Sequence, residues 1–145
     1  MGEILPDAAR TLEFRMTARD NKAGGGGVTY DVINFSVSGN AGPFLVTEPN
    51  TNQTVWTEGA IGQVTWDVAN TDVAPINCNL VDILLSTDGG YTYTYTLATS
   101  VPNTGAYSTL VPIGSATNQA RVKVQAADNI FFDISNQNFT IQAPT

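Results

Sequence analysis

The sequence predicts an all-β fold, an antiparallel β-sandwich with an additional N-terminal β-hairpin, on three observations. Apolar and polar residues alternate along several short stretches, the period of a half-buried strand. The composition is rich in Thr, Val, Asn, Gly and Ala and poor in Lys, Glu and Leu, which suits strands punctuated by turns, and no 3.6-residue periodicity accompanies it. The closing strand pair also has an earlier copy. Arg121-Val-Lys-Val-Gln-Ala-Ala-Asp-Asn129, Phe131-Phe-Asp133 and Asn138-Phe-Thr-Ile141 repeat the pattern of Phe14-Arg-Met-Thr-Ala-Arg-Asp-Asn21, Tyr30-Asp31 and Asn34-Phe-Ser-Val37.

That repeat sets the expected organisation. Phe14, Arg15 and Met16 align with Val122, Lys123 and Val124, and Asp20-Asn21 aligns with Asp128-Asn129. Each copy is an alternating strand, an Asp-Asn corner, a second Asp and a returning strand. The first copy has no complete domain in front of it, so residues 1–40 read as a β-hairpin, the tail of a preceding module, and residues 41–145 as a complete sandwich. A two-stranded hairpin is marginal by itself. Residues 11–38 are therefore expected to find a partner: the full module's edge strand, or another chain, as in a homodimer through the hairpin.

The elements follow in order. Leu12 to Ala18 alternates and reads as a strand; Asp20 to Gly27 holds four consecutive glycines and reads as a loop, and Tyr30 to Val37 returns. Gly39 to Pro43 is the linker. Phe44 to Thr47 opens the module, Glu48 to Asn52 is a turn cluster and Thr54 to Trp56 is a short strand. In Gly62 to Val68 the alternation puts Val64, Trp66 and Val68 on one face, with Trp66 the expected aromatic centre of the core. A long connection, Asn70 to Asn79, precedes the apolar strand Leu80 to Leu85. Tyr91, Tyr93 and Tyr95 then alternate with threonines, which on one strand would align three phenols. Val101 to Gly105 is a turn, Ala106 to Pro112 a short strand, and Gly114 to Asn118 a loop before the closing pair.

Composition narrows the partners. The 145 residues carry a formal net charge of −7, with six Lys and Arg in no cluster, which argues against nucleic acid. The opening Met-Gly-Glu-Ile-Leu-Pro-Asp has neither a basic stretch nor an apolar run, so no signal peptide, membrane span or membrane partner is expected. An acidic, Lys-poor, Asn/Thr-rich surface suits an extracellular or cell-surface setting. The single cysteine, Cys78, forms no internal disulfide and reads as a small buried hydrophobe.

Ser86-Thr-Asp-Gly-Gly-Tyr-Thr-Tyr93 fits the pattern Ser-x-Asp-x-Gly-x-Thr-aromatic and is similar to the Asp-box of sialidase-type propellers, where that motif is a structural turn. Asp88 is expected to accept the turn's own N–H groups, with Gly89 and Gly90 at positive φ. More broadly, Phe44, Glu48-Pro49, Val55-Trp56, Val64-Thr-Trp66, Val81-Asp-Ile-Leu-Leu-Ser86, Val101-Pro-Asn-Thr-Gly105, Arg121-Val-Lys-Val124 and Phe139-Thr-Ile141 together resemble the Ig-like module downstream of the catalytic domain in secreted bacterial reprolysin-like zinc metalloproteases. The outline is also similar to the Ig-like domain of Ser/Thr-rich fungal wall proteins. The resemblance implies an Ig-like or fibronectin-like sandwich serving as a bacterial accessory domain. Its implied partners are a protein or polysaccharide substrate or the parent's catalytic domain.

Such proteases use a His-Glu-x-x-His zinc helix, and this chain has no histidine, so no zinc is expected in it. A Ser or Cys nucleophile likewise lacks its usual base. Calcium is the metal the residues suggest, because it takes six to eight oxygen ligands from carboxylates, amides and carbonyls. Asp20, Asn21 and Asp31 form one candidate group; Asp128, Asn129 and Asp133 form its counterpart. Asp-Asn is also ordinary turn chemistry. Tyr91, Tyr93, Tyr95 and Trp56 are the candidate ligand platform, able to stack on sugar rings; the plainer reading of the tyrosine row is that part of it caps the core edge. Three functions stay open: a non-catalytic spacer or docking domain, a carbohydrate-binding module, and a calcium-stiffened adhesion repeat.

Overall fold

The computed structural model describes residues 8–145, so the opening stretch read for a signal peptide lies outside the described residues. It is an all-β protein. Among the described residues there are eleven strands: β1 (Arg10–Arg19), β2 (Val28–Val37), β3 (Leu45–Glu48), β4 (Val55–Thr57), β5 (Ile61–Asp67), β6 (Leu80–Ser86), β7 (Tyr95–Pro102), β8 (Ala106–Leu110), β9 (Thr117–Ala126), β10 (Phe132–Ile134) and β11 (Phe139–Gln142). The chain divides into two compact units between Asn40 and Ala41.

The first unit is the antiparallel pair β1–β2, with Arg10 opposite Val37 and Arg19 opposite Val28. The glycine loop closes it, where the Asp20 N–H donates to the Gly27 carbonyl at 3.3 Å.

The second unit is a β-sandwich. One sheet has the order β4-β11-β9-β6-β7, with β10 also on β9, and the facing sheet is β3-β5-β8. Neighbours run antiparallel apart from β11 and β4. Alternation decides which residues meet in the middle. Val46, Val64 and Trp66 from the smaller sheet face Val81, Ile83, Leu85, Val122, Val124, Phe139 and Ile141 from the larger, and none is more than 4 % exposed. β9 alternates most cleanly: Ala120, Val122, Val124 and Ala126 are buried while Arg121, Lys123 and Gln125 point outward. At Gly62 the backbone itself is packed, since a Cβ there would lie 2.9 Å from the Trp56 ring.

The sequence repeat is also a repeat of register. Met16 faces Asp31 and Thr17 faces Tyr30 in the hairpin. The aligned residues Val124 and Gln125 face Asp133 and Phe132 in the sandwich. Leu12 opposite Phe35 likewise matches Ala120 opposite Phe139. The copies differ in the return. Asn136 and Gln137 are two residues with no counterpart between Asp31 and Asn34, and they split the second return into β10 and β11, whereas β2 is continuous.

Candidate functional site

The turn after β6 is built around one carboxylate. The Ser86 hydroxyl, at the buried end of β6, donates to Asp88 Oδ1 at 2.6 Å. Asp88 Oδ1 also accepts the Tyr91 and Thr92 N–H groups at 3.0 and 2.9 Å, and Oδ2 accepts the Thr92 hydroxyl at 2.6 Å. These donors hold the Asp88 carboxyl far below the usual carboxylate range. Gly89 and Gly90 sit at φ 83° and 96°, in the left-handed region that a Cβ disfavours. The Gly89 N–H then donates to the Gln119 carbonyl at 2.8 Å, tying the turn to the β9 side.

This turn dismantles the expected row of phenols. Asp88 takes the N–H groups of Tyr91 and Thr92, leaving them unavailable to a ladder, and the returning strand starts only at Tyr95. The three tyrosines therefore do not stand on one strand face. Tyr91 is 90 % exposed. Tyr93 is half-buried, and its hydroxyl has no hydrogen-bond partner among the described residues. Burial raises the Tyr93 phenol above its ordinary value, opposed by the nearby Arg121. Tyr95 donates its hydroxyl to the Gly114 carbonyl at 2.8 Å. Trp56 also leaves the candidate platform: it is 8 % exposed and meets Phe139 edge to face, ring centroids 4.9 Å apart, because its strand turns it inward over Gly62.

The acidic corners come apart in the same way. Asp31 is opposite Met16, four residues of strand before Asp20, which at the strand rise is about 13 Å of chain. One calcium ion draws its ligands to roughly 2.3–2.6 Å. Asp20 instead accepts the Lys22 N–H at 3.2 Å, and Asp31 accepts that of Val32 at 2.9 Å. Bonds from the Lys22 and Gly27 backbone lower the Asp20 carboxyl, and Asn21 next to it takes the left-handed conformation, φ 50°. In the sandwich Asp133 reaches across to β3 and accepts the Val46 N–H at 2.7 Å. Asn129 bonds the Ile130 N–H, while Asp128 lies beside the Cys78 thiol. No group of three His, Cys, Asp or Glu among the described residues is placed to hold a metal ion.

Two interior features and one on the surface were not singled out from the sequence. Asn103, 4 % exposed, accepts from Trp66 Nε1 at 2.8 Å and donates to the Cys78 carbonyl and the Thr71 hydroxyl at 2.9 and 3.0 Å. Glu58, 7 % exposed, accepts the N–H groups of Gly114 and Ala116 at 3.1 and 2.6 Å. On the outer face, Lys123 Nζ lies 4.6 Å from the Phe132 ring centroid and 5.3 Å from that of Tyr93. The Lys123–Phe132 contact was within reach of the repeat alignment, since Arg15 lies over Tyr30 at 3.6 Å at the equivalent positions. Cys78 is fully buried, and burial with the adjacent Asp128 pushes its thiol up to about 11.

Fold and site together define a β-sandwich with an apolar core, in which buried polar side chains fasten loops. Comparison with protein-family models gives no match, and no curated protein matches the chain.

Proposed function

We propose that this chain is a non-catalytic spacer and docking domain of a secreted, multi-domain protein, with a metalloprotease the parent that the sequence resemblance favours. One observation carries the reading. Each buried polar residue of the sandwich (Glu58, Thr71, Ser86, Asn103, Thr109, Ser115 and Ser135) has a hydrogen bond within the sandwich, and all but that of Thr109, which joins two strands, involve a turn or loop. A catalytic site instead holds polar groups free to meet a substrate, with shifted proton affinities suited to the reaction. The group with the largest lowering, Asp88, is spent on its own turn. The test is incubation of the purified chain with unfolded protein and with soluble glycans. No hydrolysis above buffer is the expected result; turnover that survives repurification of the chain refutes the reading.

Tyr91 supports a second reading, because an almost fully exposed ring beside a rigid turn is available for stacking on a sugar. Retention on immobilised polysaccharide that is lost in Tyr91→Ala favours a carbohydrate-binding module. The calcium-stiffened repeat is separated from both by unfolding in excess calcium and in chelator, since a ligand of the folded state raises the midpoint.

A further inference from the structure

The hairpin leaves open a face that its counterpart in the sandwich keeps covered. Register puts Leu12, Phe14 and Met16 on one face with Phe35, Ile33 and Asp31. Phe14, Met16 and Ile33 are 54, 79 and 64 % exposed, whereas their counterparts Val122, Val124 and Ser135 are fully buried. In the sandwich the equivalent edge and the equivalent face are both occupied. Strand β6 pairs along β9 with Leu85 opposite Val122 and Ile83 opposite Val124, and β3 of the facing sheet donates the Val46 N–H to Asp133. Among the described residues β1 pairs with β2 alone. Asp31, the counterpart of Asp133, takes its neighbour Val32 as donor instead.

We propose that the free edge of β1 and this apolar face bind an extended strand of β6 chemistry, supplied by another β-sandwich segment that lacks its own closing strand pair. The strand runs antiparallel to β1 and sets aliphatic residues opposite Phe14 and Met16, as Leu85 and Ile83 stand opposite Val122 and Val124. In that register the position of Asp82, which faces Gln125 in the sandwich, falls opposite Thr17. An acidic residue there lies diagonal to Arg15 and Arg19, a favourable cross-strand arrangement. The β6 of a second copy does not supply it, because that strand already has β7 and β9 on its two sides. The inference is independent of the spacer reading, since it concerns only the hairpin.

The test uses the full chain and a synthetic peptide of residues 79–87 with two added lysines for solubility, followed by residue-resolved amide exchange. The expected result is a saturable slowing, by about ten-fold or more, at the β1 amides directed away from β2. The slowing disappears in Phe14→Lys/Met16→Lys and with a peptide carrying Ile83→Asp and Leu85→Asp. Exchange in the sandwich strands reports that the variant's second unit is intact, and the altered peptide keeps the test decisive if the substitutions loosen the hairpin. No slowing at saturating peptide overturns the proposal, as does equal slowing with the altered peptide. Slowing that needs no peptide and grows with chain concentration also overturns it, because the occupant is then a second copy.

Discussion

Replacing Asn103 by Ala is the perturbation that the interior hydrogen bonds make most informative. Asn103 sits in the turn between β7 and β8 and binds, with one side chain, the Trp66 indole N–H, the Cys78 carbonyl and the Thr71 hydroxyl. Removing the amide leaves Thr71 its bond to the Val68 carbonyl at 2.7 Å, so that hydroxyl stays satisfied. The Trp66 N–H and the Cys78 carbonyl lose their amide partner. A buried polar group left unpaired costs about 1–3 kcal/mol, so two of them predict a loss of roughly 3–4 kcal/mol. A domain holds about 5–15 kcal/mol in total, so the variant still folds in water but is severely weakened. Urea unfolding followed by tryptophan fluorescence reads this directly. With a slope of about 2 kcal/mol per molar, the midpoint falls by about 2 M at unchanged slope. Trp66→Phe removes the donor and orphans the Asn103 oxygen, and the double variant then shows coupling of about 1 kcal/mol or more. A loss below about 1 kcal/mol in Asn103→Ala, or additive effects in the cycle, refutes the view that this amide joins the core tryptophan to the loops.

Other expectations follow from single contacts. Gly62→Ala drives a methyl into the Trp56 ring, 2.9 Å away, and should destabilise by about 1–3 kcal/mol with a changed tryptophan emission; an unchanged midpoint shows that the ring has room to move. The Asp88 carboxyl lies lower folded than its ordinary 3.8, so its stabilising effect is complete above that value and is lost as pH falls below it. Asp88→Asn should therefore flatten the acid limb of the stability profile below about pH 4, and an identical limb in both proteins argues against the turn. Cys78, with its thiol held up at about 11, should resist thiol reagents at neutral pH until the chain unfolds, with rapid labelling of the native protein as the contrary result. Asp133→Ala removes the bond to the Val46 N–H and should lower the midpoint equally in calcium and in chelator, whereas a loss seen only in calcium makes that carboxylate a metal ligand.

Much of the fold was legible because it rests on nearest-neighbour chemistry. Period-two alternation placed Val64 and Trp66 inside, and the buried Val122 and Val124 follow the same rule. The glycine loop between β1 and β2 and the Asp88 turn were readable for a similar reason, since their bonds join residues a few positions apart. The candidate site was less legible. The Tyr91–Tyr95 alternation has the period of a strand, yet a side-chain acceptor three and four residues upstream claims the N–H groups a strand needs.

By itself the sequence determined the strand-rich class, the repeated strand pair and the residues that alternation turns inward, because each is a property of local spacing. Only the tertiary structure decided what the repeated Asp is for, and where Trp56 points. The Asp133 carboxylate meets an N–H 87 positions away, and Trp56 is buried against Phe139 and Gly62 from two other strands. A local pattern fixes which face a side chain takes. What stands opposite that face depends on which distant strands the fold brings there, and a hydrogen bond or a ring contact forms only once they have arrived.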